Sequence, residues 1–517
     1  MRLFIRTNFN KKIGFGHFSR CVRLASYFAS RGIKSKIYLD KKNNLDNFFS
    51  EKKNFEIKNL YLNKDCFQNQ SSDARLFMKK INKNTIVLVD DYRLDHRWEK
   101  LVSKKAYKIL SIEDQNKVFH YSDYIVNSNP KYIDHSNYIK KNKKICSYLL
   151  GPKFSIINNE KLIKKKSNKK NITFYFGGAG NLIFYYKILN YIILNKKIPS
   201  NVNINIIVGP LCKNKELIYL LNKKNNNIKI YDNINNLNEV LSKTDLLISS
   251  SGMISNEANY FNIPGLYFQV ANNQKIKNKY LEKIGMYFNL QLTDLKKFKK
   301  VSELICLMFD NLEILKKTYK STIKIDGFAS KRIFQHLFKK KKITEKVIKL
   351  SKTLNKKKLV KLDDLAINKY LEARNLNINR INSFKQNKIN TLDHYIWWMK
   401  SKKFINALVM NNEYQLFIKN EFTKYKGQTF CTNGFVLVNQ NISGLDVIWA
   451  LNKNIEEIKK KNKKICFMSI VKKDNRFANL HTKYIGLKFY QKNDARINKY
   501  LANKKINLSK FNIYIGN

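Results

Sequence analysis

A histidine at the end of a glycine turn is the feature of this sequence best suited to chemistry. His17 follows Gly14 and Gly16, after a short apolar run that predicts a first strand and before a pattern that predicts a helix. A glycine turn between a strand and a helix lets the backbone approach a ligand at the helix N-terminus. The helix dipole there favours the neutral imidazole, which can act as a base. Taken alone, the turn is better explained as a tight turn beside a core histidine, and only the rest of the chain favours the chemical role.

Alternating strand and helix patterns must position this turn. Over residues 1–150 the strands are near-continuous apolar runs separated by helical patterns, which predicts a parallel, doubly wound sheet. Asp91 and Tyr92 follow one strand, and Glu113 and Asp114 follow the next. Ligands bind at the carboxyl ends of such strands, so these residues are expected at the ligand-binding edge, although they could equally cap helices. The predicted strands lie at 3–5, 37–39, 85–89, 109–112 and 124–126.

A second α/β half is predicted over residues 151–337. Two of its strands run into turns rich in glycine and serine, and each turn precedes a helix. Backbone N–H groups of two such turns can together cradle a diphosphate, whereas either turn alone could be an ordinary connection. Opposite the His17 turn they predict a cleft between two Rossmann-like halves. The turn residues are Gly177, Gly178, Ser250, Ser251 and Gly252, and the strands lie at 172–176, 203–208, 228–230 and 246–248.

Length and composition limit the classes of protein that fit. The chain has 517 residues, enough for two or three domains, and its 100 Lys+Arg against 38 Asp+Glu give a net charge of +62. The excess lysine is spread from end to end among asparagine and isoleucine, which favours a coding bias over a nucleic-acid footprint, although a diffuse positive field would help to recruit an anionic substrate. Seven scattered cysteines without a C-x-x-C predict neither a disulfide framework nor a metal site. No signal peptide or membrane span is evident, so a cytoplasmic protein without membrane or nucleic-acid partners is expected.

The order of these pieces resembles the PseG family, the UDP-sugar hydrolases of pseudaminic acid biosynthesis, which have the two-domain GT-B fold. The resemblance runs over roughly residues 1 to 337. No single piece is specific, but the order is. The matching pieces are Gly14 to His17 with Arg20, Asp90 to Asp95, Glu113-Asp114, Gly177-Gly178, Ser250 to Gly252 with Glu257, Asn272 to Gln274, and Ile325 to Gly327.

The resemblance implies hydrolysis of a UDP-linked 2,4-diacetamido-2,4,6-trideoxy sugar, with inversion and release of UDP. His17 inherits the role of general base or water positioner, Asn273 a second catalytic role near the sugar, and Glu257 the contact to the ribose hydroxyls. Neither a cofactor nor a metal is implied, because backbone amides stabilise the leaving diphosphate. Asn8 and the segment 253–255 depart from the family pattern, which leaves the exact sugar open. Further substrate contacts fall on Gly14, Gly16, Arg20, Asp91, Tyr92, Gly177, Gly178, Ser250, Ser251, Gly252, Asn272 and Gln274.

A lysine-rich linker at 338–358 precedes a further domain at 359–517. Segments of this tail resemble GNAT N-acetyltransferases of the PseH kind, which act in the same pathway, so other enzymes of that pathway are expected partners. The resemblance implies acetyl-CoA as cofactor, with Gly444 and Asn475 among its contacts. The turn at 441–445 keeps one family glycine and lacks the second, and His481 stands in place of a family tyrosine. An active acetyltransferase and a degenerate domain kept for packing both stay open.

The expected architecture is therefore α/β, with two Rossmann-like halves in a GT-B arrangement followed by an α+β GNAT-like domain. A GT-B glycosyltransferase with a UDP-sugar donor is the nearest alternative, and nucleotide release without an acceptor separates the two. A basic nucleic-acid-binding protein is a second alternative, which steep salt-dependent DNA binding would reveal. The sequence has no arginine-rich stripe, zinc-finger pattern or RNP-like pattern to support it.

Overall fold

The structure is a computed structural model of the chain. It divides into two compact units, Met1–Thr344 and Glu345–Asn517. None of the described helices is long and apolar enough to cross a membrane. The described residues are all those outside 10–15, 41–53, 62–65, 117, 134–137, 139, 145, 159–168, 176, 178–179, 196, 200, 211, 224, 233, 235, 270–277, 339–356, 385, 402–403, 426, 462–463, 492–493, 504–508 and 517.

The first sheet has seven described strands, all paired in parallel, in the order β3-β2-β1-β4-β5-β6-β7. Every strand predicted from the sequence in this half is present. β3 and β7 were not expected, because each is short and has few buried apolar residues. The strands are β1 (Arg2–Thr7), β2 (Lys34–Leu39), β3 (Phe55–Asn59), β4 (Thr85–Asp90), β5 (Lys108–Ile112), β6 (Tyr124–Asn127) and β7 (Ser147–Leu150).

Helices cover both faces of this sheet. The predicted stripe of the first helix is buried, with Cys21, Leu24, Ala25 and Phe28 facing the core. The opposite face packs two helices around the fully buried Trp98. The helices are α1 (Gly16–Ala29), α2 (Gln70–Met78) and α3 (His96–Val102).

The second sheet is also parallel, in the order β10-β9-β8-β11-β12-β13. The expectation of two Rossmann-type halves is confirmed by these two sheets. The strands are β8 (Asn171–Tyr175), β9 (Asn203–Val208), β10 (Ile228–Asp232), β11 (Leu246–Ser250), β12 (Gly265–Gln269) and β13 (Asn289–Gln291). The helices are α4 (Ile183–Leu194), α5 (Lys215–Lys223), α6 (Asn238–Leu241), α7 (Ile254–Tyr260), α8 (Asn278–Glu282), α9 (Phe298–Asp310) and α10 (Leu312–Lys320).

A final helix of this unit, α11 (Ala329–Phe338), belongs to the core of the first half and not of the second. Ile333 and Leu337 are buried against the same cluster as Phe28 of α1, and the ring of Phe334 lies edge-on to Phe28 at 5.2 Å. The chain therefore crosses from the first half to the second and back again.

The second unit is built around a mostly antiparallel sheet in the order β14-β15-β16-β17-β18-β20-β19. Among its described strands, β17 and β18 form the one parallel pair. The tail is therefore an α+β sheet domain, and its assignment to the GNAT class stays a prediction. Its strands are β14 (Lys358–Lys361), β15 (Ile405–Met410), β16 (Glu413–Tyr425), β17 (Gln428–Leu437), β18 (Ile465–Lys472), β19 (Lys488–Phe489) and β20 (Phe511–Gly516). Its helices are α12 (Ile367–Arg374), α13 (Asn377–Ile381), α14 (Thr391–Lys400), α15 (Gly444–Lys461), α16 (Arg476–Tyr484) and α17 (Ala495–Asn503).

Candidate active site

His17 and Asp90 meet at the carboxyl edge of the first sheet. His17 is in the first turn of α1, and Asp90 is the last residue of β4, which pairs with β1 in register with Thr7. The Nδ1 atom of His17 lies 2.7 Å from Oδ1 of Asp90. The carboxylate is fully buried, whereas 10% of the histidine side chain is exposed. The fold thus places a largely buried histidine at this edge, with a fully buried carboxylate behind it.

Arg20, one turn further along α1, ties two carboxylates to this histidine. Its Nε and Nη2 atoms each donate to Asp90 at 2.6 Å, and its Nη1 donates to Asp114 at 2.8 Å. Burial alone would raise the pKa of Asp90, but Arg20 and His17 outweigh it and hold that pKa well below its usual range. Burial likewise opposes ionisation of Asp114, and Arg20 again keeps its pKa low. Both carboxylates are therefore ionised at neutral pH.

This charge state determines where the histidine carries its proton. Nδ1 of His17 lies 2.7 Å from Oδ1 of Asp90 and 3.1 Å from Nη2 of Arg20. Because an ionised carboxylate can only accept hydrogen bonds, we assign the shorter contact to an N–H on Nδ1 that donates to Asp90. In the neutral imidazole the lone pair then lies on Nε2, to which no described residue is bonded. The arrangement presents a base at the edge of the sheet and fixes its tautomer.

Tyr92 forms the rim beside this base. Its ring meets the His17 ring edge-on at 4.5 Å, and its hydroxyl donates to Oδ2 of Asp114 at 2.6 Å. Partial desolvation of the phenol group and the negative charge of Asp114 raise the pKa of Tyr92, so the phenol stays protonated. About half of the residue, 48%, is exposed at this rim.

Asp91 lies in a different cluster from the histidine. Its carboxylate accepts from Nη2 of Arg93 at 2.6 Å and from Nε at 2.9 Å, and its side chain is almost fully buried. Arg93 also binds Asp40 at 2.8 Å. Of the predicted contacts in this half, the structure brings Gly16, His17, Arg20 and Tyr92 together and directs the Asp91 side chain into this separate ion-pair cluster.

A second buried histidine supports the strand end that carries Asp114. Nδ1 of His120 lies 2.8 Å from Glu99, and its Nε2 lies 3.5 Å from Glu113. Burial alone would lower the pKa of His120, but Glu113 and Glu99 raise it to about 9. His120 is thus a cation at neutral pH and holds two buried carboxylates beneath the edge.

Gly177 and Ser250, one residue from each predicted turn of the second half, lie close together. A Cβ built on Gly177, which has a φ of +84°, would lie 3.7 Å from the hydroxyl of Ser250. A Cβ built on Gly16 would lie 3.6 Å from the side chain of Met253. Ser251 is buried and its hydroxyl donates to Asn289 at 3.1 Å. Gly16 of the first half therefore lies beside Met253, which follows the Ser250–Gly252 segment of the second.

Glu257, expected to contact ribose, is held by a residue that the sequence did not single out. Arg23 of α1 forms an ion pair with Oε1 of Glu257 on α7. The other oxygen, Oε2, is buried and accepts no hydrogen bond from the described residues. One carboxylate oxygen is therefore fixed by the protein, and the other has no protein donor in the described part of the chain.

Five predicted residues lie outside the described residues. They are Gly14, Gly178, Asn272, Asn273 and Gln274, and their roles stay predictions. No group of three or more His, Cys, Asp or Glu side chains in the described part of the chain could hold a metal ion.

Asp90 and Arg23 are functional candidates to which sequence reasoning gave no role. For Asp90 a signal existed, since it ends the strand that precedes Asp91 in a parallel sheet. For Arg23 none did, because its partner lies 234 positions away.

In the tail, Gly444 begins α15 beside a buried histidine. A Cβ on Gly444 would lie 3.3 Å from Nε2 of His481. The other ring nitrogen of His481, Nδ1, is buried and makes no hydrogen bond to the described residues. Burial lowers the pKa of His481, which favours its neutral form. The negative charge of Asp446 in the first turn is offset by Lys357 at 3.0 Å. Asn475 caps α16, its side chain accepting from the backbone of Ala478 at 3.1 Å.

Comparison with known proteins gives a distant relationship. No family model matches the chain. An uncharacterized protein of Methanocaldococcus jannaschii is 28% identical over 335 residues, covering 59% of this chain and 65% of that protein. A Helicobacter pylori protein named pseudaminic acid cytidylyltransferase and UDP-2,4-diacetamido-2,4,6-trideoxy-beta-L-altropyranose hydrolase is 23% identical over 311 residues, covering 59% of this chain and 49% of that protein. The chain thus spans less than two thirds of the length of either relative.

Two solved structures align with part of the chain at low sequence identity. MurG of Acinetobacter baumannii aligns with a TM-score of 0.42 and 14% identity, over 65% of this chain and 99% of its own. UDP-GlcNAc 2-epimerase of Neisseria meningitidis, bound to UDP-GlcNAc, aligns with a TM-score of 0.40 and 13% identity, over 65% of this chain and 99% of its own. The chain has two Rossmann-type halves and is a distant relative of a sugar-nucleotide enzyme.

Proposed function

We propose that residues 1–337 hydrolyse a UDP-linked 2,4-diacetamido-2,4,6-trideoxy sugar to free sugar and UDP, as a step in the biosynthesis of pseudaminic or another nonulosonic acid. The observation that carries the proposal is the His17–Asp90 pair at the sheet edge, preceded by Gly16, which lies beside Met253 of the second half. The distant relationship to a Helicobacter pylori protein whose name includes this hydrolase supports it.

The chemistry follows from the tautomer of His17. Asp90 keeps the proton on Nδ1, so Nε2 can accept a proton from water as the water oxygen attacks the anomeric carbon. The bond between that carbon and the diphosphate oxygen breaks, and its electron pair leaves with UDP. Asp90 also stabilises the imidazolium that forms, because its negative charge lies 2.7 Å from the ring. Neither a metal nor a cofactor takes part in the proposed step.

Binding of the UDP part is assigned to the second half. The turns at 177–178 and 250–252 would hold the diphosphate through Gly177, Gly178 and the Ser250 hydroxyl, because the N–H groups of Ser251 and Gly252 already donate to the carbonyls of Phe268 and Ser250 at 2.9 Å. Glu257 would accept from the ribose hydroxyls. In the first half, Tyr92 is exposed at the rim beside His17 and would contact the sugar. Asn273 is proposed to contact the sugar from the second half, as the family resemblance implies.

Release of UDP from the UDP-linked altrose derivative, measured without any acceptor, tests the proposal. Wild type should release UDP, and His17→Ala should lose activity by about 10²–10⁴-fold, the usual contribution of a general base. His96→Ala is a matched control, since His96 lies in the same half at the start of α3 and has no role in the proposed step. Release that requires an added acceptor would instead identify a glycosyltransferase. Equal release by wild type and His17→Ala would refute the role of His17.

For the tail we propose an acyltransferase that uses acetyl-CoA. The N–H groups of Leu445 and Asp446 in the first turn of α15 already donate to Ser443 at 3.2 and 3.1 Å, so a phosphate would approach at Gly444, where no side chain stands in the way. His481, buried beside it with an unbonded Nδ1 in the described structure, would donate or accept a hydrogen bond there. Acetyl-CoA would supply the acetyl thioester, and the protein groups named here would bind its phosphates.

Calorimetric titration of the full chain with acetyl-CoA tests this second proposal. Wild type should bind, and Gly444→Val should weaken binding at least tenfold, because its branched side chain occupies the space next to His481. Gly434→Val is a control, since a Cβ on Gly434 meets no atom within 4 Å. Absence of binding by wild type would show that the domain is kept for packing.

A further inference from the structure

The ion pair between Arg23 and Glu257 connects the two halves of the first unit. Arg23 lies on α1 of the first half, and Glu257 lies on α7 of the second. The two side chains are 18% and 2% exposed, so the pair is shielded from water. A buried pair of this kind fixes orientation more than an exposed one, because removing either partner leaves an uncompensated charge.

Arg23 is itself held in place at a second point. Its Nη1 atom donates to the backbone carbonyl of Ile156 at 3.2 Å. Ile156 lies between the halves in sequence, and its side chain is buried in the core of the first. The planar guanidinium therefore bridges the connecting segment and Glu257 with two different nitrogens, a geometry that a lysine ammonium cannot reproduce.

The free oxygen of Glu257 points to a ligand with hydrogen-bond donors. Oε2 is buried and receives no hydrogen bond from the described residues, while Oε1 is engaged by Arg23. A buried carboxylate oxygen without a donor is costly, and a ligand that supplies O–H groups removes the cost. The two neighbouring hydroxyls of a ribose are such donors.

We propose that Arg23 is a positioning residue for nucleotide recognition: by holding Oε1 of Glu257 from the opposite half, it leaves Oε2 oriented to accept from the ribose hydroxyls. The inference rests on the proposed function, since it takes a uridine nucleotide as the ligand of this cleft. It adds a residue from the catalytic half to the recognition of the nucleotide, so that α1 carries both the base and the group that orients the ribose contact.

The test compares two ligands on the same full-length protein. UDP and 2′,3′-dideoxy-UDP, which lacks both ribose hydroxyls, are titrated against wild type and Arg23→Met. Wild type should prefer UDP by about tenfold or more, as expected for a hydrogen bond to a charged group. Arg23→Met keeps an unbranched stem but cannot hold Oε1, so the preference should fall towards equality. A purely structural role of Arg23 would lower both affinities and leave their ratio unchanged.

Two further variants complete the design. Arg97→Met removes an exposed arginine, 68% accessible and paired with Asp95 in the same half, and should leave both affinities and their ratio unaltered. In a Glu257→Gln background, Arg23→Met should not change the ratio further, because Arg23 acts through Glu257. Arg23→Lys, which keeps the charge, should give an intermediate ratio and replaces the methionine variant if that protein does not fold.

The outcomes separate this inference from the proposed function. An unchanged preference for UDP in Arg23→Met and Arg23→Lys would overturn the positioning role. Equal affinity of wild type for both nucleotides would also overturn it, while leaving nucleotide binding intact. Wild type that binds neither nucleotide would refute the proposed function itself.

Discussion

Replacing Asp90 with asparagine removes one negative charge and keeps the shape of the side chain. The wild-type carboxylate accepts from Nδ1 of His17 and twice from Arg20, all within 2.7 Å. An asparagine has one acceptor and one donor group in place of two acceptors. In either orientation its NH2 group faces an N–H of Arg20, and in one orientation it also donates to Nδ1 and moves the imidazole proton to Nε2.

The magnitude follows from these contacts. Breaking a buried ion pair costs about 3–5 kcal/mol, and we expect roughly 3 kcal/mol here, because Asp114 still binds Arg20 at 2.8 Å. At about 2–4 °C per kcal/mol for a large domain, Tm should fall by roughly 6–12 °C. A histidine protonated on Nε2 cannot take a proton from water, so kcat should fall by about 10²–10⁴-fold.

Steady-state UDP release and thermal unfolding, measured on the same preparation, check both effects. Asp95→Asn is the matched control: Asp95 caps α3 in the same half, and asparagine is an equally good cap. This control should keep its activity and its Tm. The double variant His17→Ala/Asp90→Asn should be no less active than His17→Ala alone, because Asp90 acts on the reaction through His17.

Asp90→Asn with near wild-type kcat and a lowered Tm would refute the argument from the tautomer. It would mean that the carboxylate only neutralises Arg20. A double variant much less active than His17→Ala would refute it differently, by showing that Asp90 acts on the reaction by another route.

The remaining predictions concern stability. The pKa of Asp90 is lower in the folded than in the unfolded protein, so its ionised form adds to the free energy of unfolding above the ordinary carboxyl pKa of about 4. This stabilisation should be lost as the pH falls below that value. Asp90→Asn should therefore flatten the acid side of a plot of stability against pH. The pKa of His120 is raised to about 9, so protonation of this histidine adds up to about 3 kcal/mol to the free energy of unfolding. This stabilisation is complete below pH ~6.5 and should disappear as the pH rises through 9. Tm measured against pH should show the fall in wild type and not in His120→Gln. Gly285→Ala should lower the free energy of unfolding in urea by about 2–5 kcal/mol, because the φ of Gly285 is +91° and a Cβ would lie 2.3 Å from the ring of Tyr319. Gly32→Ala is the control: its φ is +78° but a Cβ would meet open space, so the loss should be only about 1–2 kcal/mol. Equal losses in the two variants would contradict the predicted clash.

Strands with long apolar runs were predictable from the sequence, and short edge strands were not. β4 is buried at all six positions, and four of them, 86–89, form an unbroken apolar run. β3 buries one residue of five, and β13 has only three residues, so neither carries a run or a clear alternation. Pairing in the sheet, and not local pattern, makes them strands.

Local sequence also identified one side of each contact in the site, but not the partner. The glycine turn predicted the position of His17, and the turn at 250–252 predicted that of Glu257. Their partners Asp90 and Arg23 lie 73 and 234 positions away, and only the folded arrangement of two sheets brings them together. Asp91 illustrates the reverse case: the strand-end rule placed it at the edge, while Arg93, two residues on, takes up its carboxylate.

The return of α11 to the first half has a consequence for synthesis on the ribosome. Domains usually fold as they emerge, N-terminal first. Here the core around Phe28 lacks Ile333, Phe334 and Leu337 until some three hundred later residues have been made. The two segments that connect the halves also contact each other directly, because Arg332 of α11 donates to the backbone carbonyl of Lys153 at 2.9 Å. The first half therefore completes its core only after the second has been translated, which makes the two halves one co-translational folding unit.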